Sequence, residues 1–488
     1  MSRTMYLENG NIFLGTASST YSRSLTISDG VVVGIGAAAP ERCERVDLQG
    51  HFAMPGFVDS HLHLVQGASV MGNVDLKKVS SREAFCATLA AAVSDVHSNT
   101  WVVGFGWTQE RLLGTPTKEW FSENVAVPML CYRVDFHSAV LNDAALEQLP
   151  LSKIENMPGG SAIRSGIVQE DALYDGVGPL MPKVDVEVKR TRTLQALKEM
   201  QREGITLIGS MEELHDVEDV LAELDLSQQM RIRTMLLDAP SIDVLSRSKQ
   251  FQGDFLNVFG FKAFLDGSLG SRTAKMYQPW NDCEGSGVWA GLAANETLQS
   301  WVHEVVAAGF APVMHAIGDE AVGLALQVLK GVDENARIEH AQCIAEKEVP
   351  YLLKKMFGVQ PLHQPSDATI AAQALGRERA AQLHNWRRML DAGAYLSFGS
   401  DWPVAAANPI AAIQVAITQG LSVTEAIAAS TRVAADSLGT PLSGELQLGS
   451  YGDVVILDSN PFECDWINTQ PSVTMTILAG NIVYIKEE

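Results

Sequence analysis

Apolar positions follow two different rules along this chain. At both ends they form short β-rich runs broken by turn dipeptides. Asn9-Gly10 lies between Met5-Tyr6-Leu7 and Ile12-Phe13-Leu14, and Asp29-Gly30 lies between Leu25-Thr26-Ile27 and Val31-Val32-Val33. Such dipeptides between β-formers predict hairpins, because a type I′ turn needs φ > 0 at both central positions. Residues 453–457 and 473–478 read as further strands, and Gly480-Asn481 turns into Ile482-Val483-Tyr484. Neither end carries enough apolar material for a core of its own. The pattern therefore predicts one small discontinuous β-sandwich, built from residues 1–54 and about 442–488.

The middle alternates instead between helix-like periods and short buried runs. Residues 187–203 lead through Gly204 into Ile205-Thr206-Leu207-Ile208, and residues 380–392 lead through Gly393 into Tyr395-Leu396-Ser397-Phe398. Glycine just past a helix supplies the left-handed cap, and helices alternating with buried strands predict parallel βα units. Eight strands are expected, at 57–64, 205–210, 232–237, 258–265, 312–315, 337–340, 358–361 and 395–400. That count predicts an α/β fold, a (β/α)8 TIM-like barrel spanning 55–441. About 140 residues separate the first two strands, too many for a loop. Residues 65–200 are expected to form an inserted subdomain over the barrel mouth.

Composition narrows the function. The chain has 58 Asp and Glu against 36 Lys and Arg, a net charge of −22, and 46% hydrophobic residues. An acidic surplus argues against nucleic acid, whose phosphates need a basic surface, and against anionic membranes. The six cysteines show no C-x-x-C spacing, so reduced thiols in a cytoplasmic protein are the expectation. Residues 1–19 lack a basic region followed by an apolar stretch, and no run nears the ~20 apolar residues of a membrane helix.

The chemistry gathers at predicted strand ends. His61 and His63 are two apart on the first strand and so share a face. His315 and His340 close the fifth and sixth strands, and Asp401 follows the eighth. In a barrel these ends converge on one mouth, where imidazoles and a carboxylate can ligate metal. The alternative is a set of separate buried histidines, each satisfied by a hydrogen bond. Lys262 stands amid apolar residues on the fourth strand, where burial depresses an ammonium pKa. Its neutral amine can take up CO2 to give a carbamate that bridges two ions; alternatively it pairs with Asp266 on the same face. His51, His97, His215, His303 and His384 have no such context and read as structural or exposed.

This order, H-x-H on strand one, Lys on four, His on five and six and Asp on eight, resembles the metal-dependent amidohydrolase superfamily. Gly56-Phe57-Val58-Asp59-Ser60-His61-Leu62-His63, the run from Lys262 to Ala274, His315-Ala316-Ile317-Gly318-Asp319, Ile338-Glu339-His340 and Gly399-Ser400-Asp401-Trp402-Pro403 are similar to its YtcJ-like branch, which includes N-substituted formamide deformylases. Asp135-Phe136-His137 in the insertion and Gly444-Glu445-Leu446-Gln447-Leu448-Gly449 in the tail extend the likeness over nearly the whole chain. Tyr451-Gly452-Asp453 departs from the usual Lys-Ala-Asp, within the sandwich.

The resemblance implies a hydrolase with one or two divalent ions, commonly zinc. His61, His63 and Asp401 would hold the more buried ion, His315 and His340 the second, with carboxylated Lys262 bridging. Asp401 is also expected to be catalytic, carrying a proton from the attacking hydroxide to the leaving nitrogen. Asp266, Arg272, His137, His363 and Trp402 are expected at the substrate, with Arg272 suited to an anionic group. The reading is C–N hydrolysis of a small amide, an N-substituted formamide or N-acyl compound. Its rivals are a mononuclear deaminase, an ester, lactone or carbamate hydrolase, and a non-catalytic binding protein. Homo-oligomers are common in the superfamily and are left open.

Overall fold

The computed structural model describes residues 3–93, 101–121, 126–332 and 335–487. At its centre stand eight strands: β1 (Phe57–Leu62), β2 (Ile205–Glu212), β3 (Arg231–Leu236), β4 (Leu256–Phe264), β5 (Ala311–Ala316), β6 (Arg337–His340), β7 (Met356–Val359) and β8 (Tyr395–Phe398). Each is parallel to the next, in chain order. Strand β8 returns to β1, where Ser60 Oγ donates to Ser397 Oγ at 3.1 Å and the Asp401 amide donates to the His61 carbonyl at 2.7 Å. The result is a (β/α)8 TIM-like barrel. Strand β1 ends at Leu62, earlier than the pattern suggested, so His63 stands just past it.

Strands covered on both faces read as continuous apolar runs, and every residue of β1, β2 and β3 is buried. The helix before β2, Val186–Arg202, starts on Asp185, whose carboxylate accepts from the Glu187 and Val188 amides. It ends at Gly204, with φ +81°, where a Cβ would come within 2.6 Å of Val455. Glycine is required there both for the left-handed turn and for the close approach of the C-terminal strands.

Both chain ends build two further sheets, which together form the sandwich. One has the order Val31–Ile35, Leu25–Ser28, Thr4–Glu8, Glu44–Asp47; the other, Asn481–Ile485, Val473–Leu478, Val454–Leu457, Phe52–Pro55, Asn11–Phe13, Tyr21–Ser22. Phe52–Pro55 pairs antiparallel with Val454–Leu457 and so joins the two ends. Met5, Leu7, Ile12, Leu25 and Ile27 share a core with Val454, Ile456 and Ile477. Asp29-Gly30 makes its hairpin, with φ +48° and +82°. Asn9-Gly10 does not. Only Asn9 is left-handed, Gly10 packs on Leu48, and the flanking strands lie in different sheets. The last hairpin turns on Ala479-Gly480, one residue earlier than expected. The sandwich grips the barrel through Arg231, whose guanidinium donates to both oxygens of Asp453 at 2.7 and 3.3 Å with both side chains buried.

Between β1 and β2 the chain forms a five-stranded sheet, ordered Ile167–Gln169, Ser138–Leu141, Met129–Arg133, Val102–Trp107, Val74–Asp75. Apolar clusters around Leu130 and Leu141, and around Leu89 and Trp107, cover it. Among the described residues no helix is long and apolar enough to cross a membrane.

Candidate metal centre

Strand β1 and the loop after β8 are zipped together. Asp59 Oδ1 accepts from the Ser400 amide at 2.9 Å, Asp401 N donates to His61 O, and His63 N donates to Trp402 O at 2.9 Å. A Cβ on Gly399 would lie 2.5 Å from that of His61, so only glycine permits this approach. The zipper delivers Asp401 to the two histidines: its Oδ1 is 3.4 Å from both His61 Nε2 and His63 Nε2. Two ligands at ~2.1 Å on a tetrahedral ion lie roughly 3.4 Å apart. Asp401 and His340 both take left-handed backbone, with φ +57° and +72°, uncommon for residues other than glycine and frequent at functional sites.

The outer partners fix which nitrogen each histidine can offer. Glu339 accepts from His61 Nδ1 at 2.6 Å, since a carboxylate has no proton to give, and this leaves His61 Nε2 with a lone pair. Gln360 Nε2 donates to Gly358 O, so its Oε1 is the acceptor that takes His340 Nδ1–H at 2.8 Å and frees His340 Nε2. His315 Nε2 donates to Gly267 O at 3.0 Å and keeps Nδ1 free. Such outer hydrogen bonds are the usual means of orienting metal-bound histidines.

The donor set fits a cation. His61 Nε2, His63 Nδ1, Lys262 Nζ and His363 Nε2 are buried without a hydrogen-bond partner. Ligand atoms of His61, His63 and Asp401 lie within 4.8 Å of one another, and so do those of His340, His363 and Asp401. Burial, then His137 and Lys262, push His315 well below the ordinary imidazole range; burial and His315 do the same to His340. Both are thus neutral, the form that ligates. Burial would raise Asp401, but His61 and His63 outweigh it and hold the carboxyl well below its ordinary value. Burial lowers Lys262 to about 8.

A cavity of about 690 Å³ opens on this cluster, walled by His63, Lys262, His315, His340 and Asp401 from the barrel and by Phe136, His137, Glu170 and Tyr174 from the insertion. His137 lies at the mouth, its ring 5.0 Å from that of His315. Its Nδ1 is 2.9 Å from Glu170. Burial would lower this imidazole, but Glu170 and Asp135 raise it to about 9. Asp135 in turn accepts from Ser268 and Ser271 at 2.5 and 3.0 Å and ties the insertion to the loop after β4.

Four expected substrate contacts lie elsewhere. Arg272 is held by Asp282, with Nη2 to Oδ2 at 2.8 Å, and does not face the cavity; ten residues of chain bring the acid round to it. Asp266 is fully buried and accepts from the Lys275, Ile317 and Gly318 amides, so it fastens the loop beyond β5 and does not pair with Lys262. Trp402 packs on Gly67 and walls a neighbouring cavity of about 440 Å³. His363 is outside the large cavity's wall. Of the remaining histidines, His384 is buried on Asp367 at 2.8 Å, His215 and His303 are exposed, and His97 lies outside the described residues. Glu170, Gln360 and Glu339 were not singled out from sequence. Glu339 had a signal, a carboxylate beside His340 on a buried strand; Glu170 and Gln360 had none.

A parallel barrel whose strand ends gather imidazoles, a carboxylate and a buried lysine around one cavity has the build of a metal-dependent hydrolase. The chain belongs to the amidohydrolase family, whose sequence profile matches residues 44–484. It is 30% identical to the protein LONG AFTER FAR-RED 3 of Arabidopsis thaliana, over 98% of this chain and 91% of that one. It is 24% identical to the YtcJ protein of Bacillus subtilis (strain 168), over 98% of each. An uncharacterized metal-dependent hydrolase from Pyrococcus furiosus, solved by crystallography, superposes with a TM-score of 0.74 at 27% identity, covering 94% of this chain and 100% of that one. The protein is a metal-dependent hydrolase of that family.

Proposed function

We propose that the protein hydrolyses a C–N bond of a small amide, an N-substituted formamide or N-acyl compound, with zinc held by His61, His63 and Asp401 and a second ion by His315, His340 and carboxylated Lys262. The observation that carries the reading is Asp401 Oδ1, equidistant at 3.4 Å from His63 Nε2 and from His61 Nε2, the latter buried without a hydrogen-bond partner. When bound, a divalent cation supplies Lewis acidity and a hydroxide nucleophile at neutral pH. Asp401 takes the proton of the attacking group and returns it to the leaving nitrogen, which would otherwise depart as an unstable anion. His137, charged and braced by Glu170, donates a hydrogen bond to the carbonyl oxygen of the substrate.

The cavity wall also bears on the substrate's charge. Asp171, Asp175, Glu213, Asp216 and Asp238 line it, and Lys189 is spent on Asp216 at 2.5 Å. With Arg272 turned away, the reading is a neutral or cationic substituent. Six free cysteines suit a reducing compartment such as the cytoplasm.

The test is turnover of metal-loaded protein on N-substituted formamides, N-acyl amines, esters, lactones, carbamates and amino-heterocycles. Release of amine and carboxylate from amides is expected. Ammonia released only from amino-heterocycles would favour a deaminase, and esters, lactones or carbamates alone the oxygen-ester chemistry. No turnover anywhere with metal supplied would favour a binding protein.

A further inference from the structure

We propose that His363, whose Nε2 faces Oδ2 of Asp401, is a further metal ligand beside His340. The proposal rests on the metal-hydrolase reading above. His61 and His63 approach Asp401 Oδ1 at 3.4 Å, whereas His363 Nε2 lies 3.9 Å from Oδ2. Oδ1 therefore faces His61 and His63, and Oδ2 faces His363. The ligand atoms of His340, His363 and Asp401 lie within 4.8 Å of one another, and the two imidazole planes are tilted by only 14°.

The placement follows from the chain. Strand β7 ends at Val359, and the turn Pro361–His363 carries the imidazole back over the barrel's C-terminal end. There His363 Nε2 is buried and without a hydrogen-bond partner. At 3.9 Å it is beyond hydrogen-bonding reach of Asp401. A buried nitrogen without a partner calls for an explanation, and an ion or an ordered water is the usual one. A substrate contact does not serve, because His363 is absent from the wall of the large cavity. Gln360, three residues earlier, already orients His340 with its free nitrogen available to the same ion. The segment after β7 thus supplies both a ligand and the brace of another. Neutral imidazole beside imidazole and carboxylate is a donor set for zinc or cobalt.

The experiment is cobalt reconstitution of the stripped full-length protein. Wild type, His363→Ala, His363→Gln and His61→Ala are compared by metal count per chain, visible cobalt spectrum and competition with a chelator. Both His363 variants are expected to release cobalt at least about tenfold more readily, the order seen even when a brace rather than a ligand is lost. They should also show an altered spectrum, while melting like wild type when metal-free. Added imidazole should restore the spectrum of His363→Ala, which guards against damage elsewhere. Unchanged count, spectrum and chelator resistance in both variants would overturn the proposal and assign His363 to a bridging water. If wild type takes up no cobalt, the metal-hydrolase reading falls and this proposal with it. Loss of cobalt confined to His61→Ala would leave that reading standing and overturn this proposal alone.

Discussion

His61 donates from Nδ1 to Glu339 at 2.6 Å with both side chains fully buried, and Glu339 holds Arg337 Nε at 2.8 Å through its other oxygen. One carboxylate thus aims a ligand and neutralises a buried guanidinium. Burial would raise its pKa, but Arg337 and His61 keep it well below the carboxylate range. Its stabilisation is therefore present at neutral pH and lost as the pH falls through the folded value. Glu339→Gln keeps the shape and removes the charge. Metal affinity is expected to fall about 10–100-fold, and stability by about 3–5 kcal/mol because Arg337 stays buried and unpaired. Chelator competition and thermal melting check the two effects separately.

Asp401 has φ +57°, a conformation that Asn also tolerates and Ala does not. Asp401→Asn is therefore the informative variant. It keeps the backbone and an oxygen for the ion but cannot carry a proton. Turnover on the best amide is expected to fall by at least about 10²-fold while most metal stays bound. Near-normal turnover with metal retained would rule out the proton-carrying role.

Much of this site could be read from the chain because strand geometry is local. His61 and His63 follow from a period of two, and His315, His340 and Asp401 from their places at strand ends. What escaped depends on contacts distant in sequence. Asn9-Gly10 carries a hairpin signal, yet pairing with residues 44–47 and 52–55 decides which sheet each flanking strand joins. Arg272 reads equally as a grip for an anionic group or as half of an ion pair, and only the fold brings Asp282 round to it. His137 finds its carboxylate 33 residues away, and nothing in either neighbourhood announces the pairing.

That pairing predicts a pH dependence. Glu170 and Asp135 raise His137 to about 9, above the 6.5 it has when exposed. A raised folded pKa gives stability that is full below 6.5 and vanishes as pH rises through about 9. Glu170→Gln removes the main partner. The melting-temperature gap between wild type and Glu170→Gln is expected to be widest near pH 6.5 and to close towards pH 9. A gap that does not change with pH would mean His137 is neutral throughout.

The joint between sandwich and barrel predicts loss of stability without loss of binding. Asp453 accepts twice from Arg231 and also from the Ala479 amide at 2.8 Å. Asp453→Asn leaves a buried guanidinium without its countercharge, at about 3–5 kcal/mol. Melting should drop by several degrees while KM and metal content stay as in wild type. A KM change would instead tie the joint to the cavity.

Lys262 carries the last prediction. Its Nζ is buried with no hydrogen-bond partner and stands 5.2 Å from the Phe264 ring centroid. Burial lowers its ammonium to about 8, so a useful fraction is free amine near neutral pH. Free amine adds to CO2, forming one N–C bond and releasing one proton, and the carbamate anion supplies two oxygens beside the imidazoles. Uptake should therefore quicken as pH rises through about 8. Stripped protein given metal in CO2-free buffer is expected to regain activity slowly, and bicarbonate to speed recovery several-fold, with native mass spectrometry showing a gain of one CO2 per chain. Lys262→Ala should ignore bicarbonate but recover some activity with a short carboxylic acid that fits the vacated space. If wild-type recovery is indifferent to bicarbonate and no CO2 is gained, Lys262 works as an amine, and any second ion must be held by His315 and His340 without a bridging carbamate.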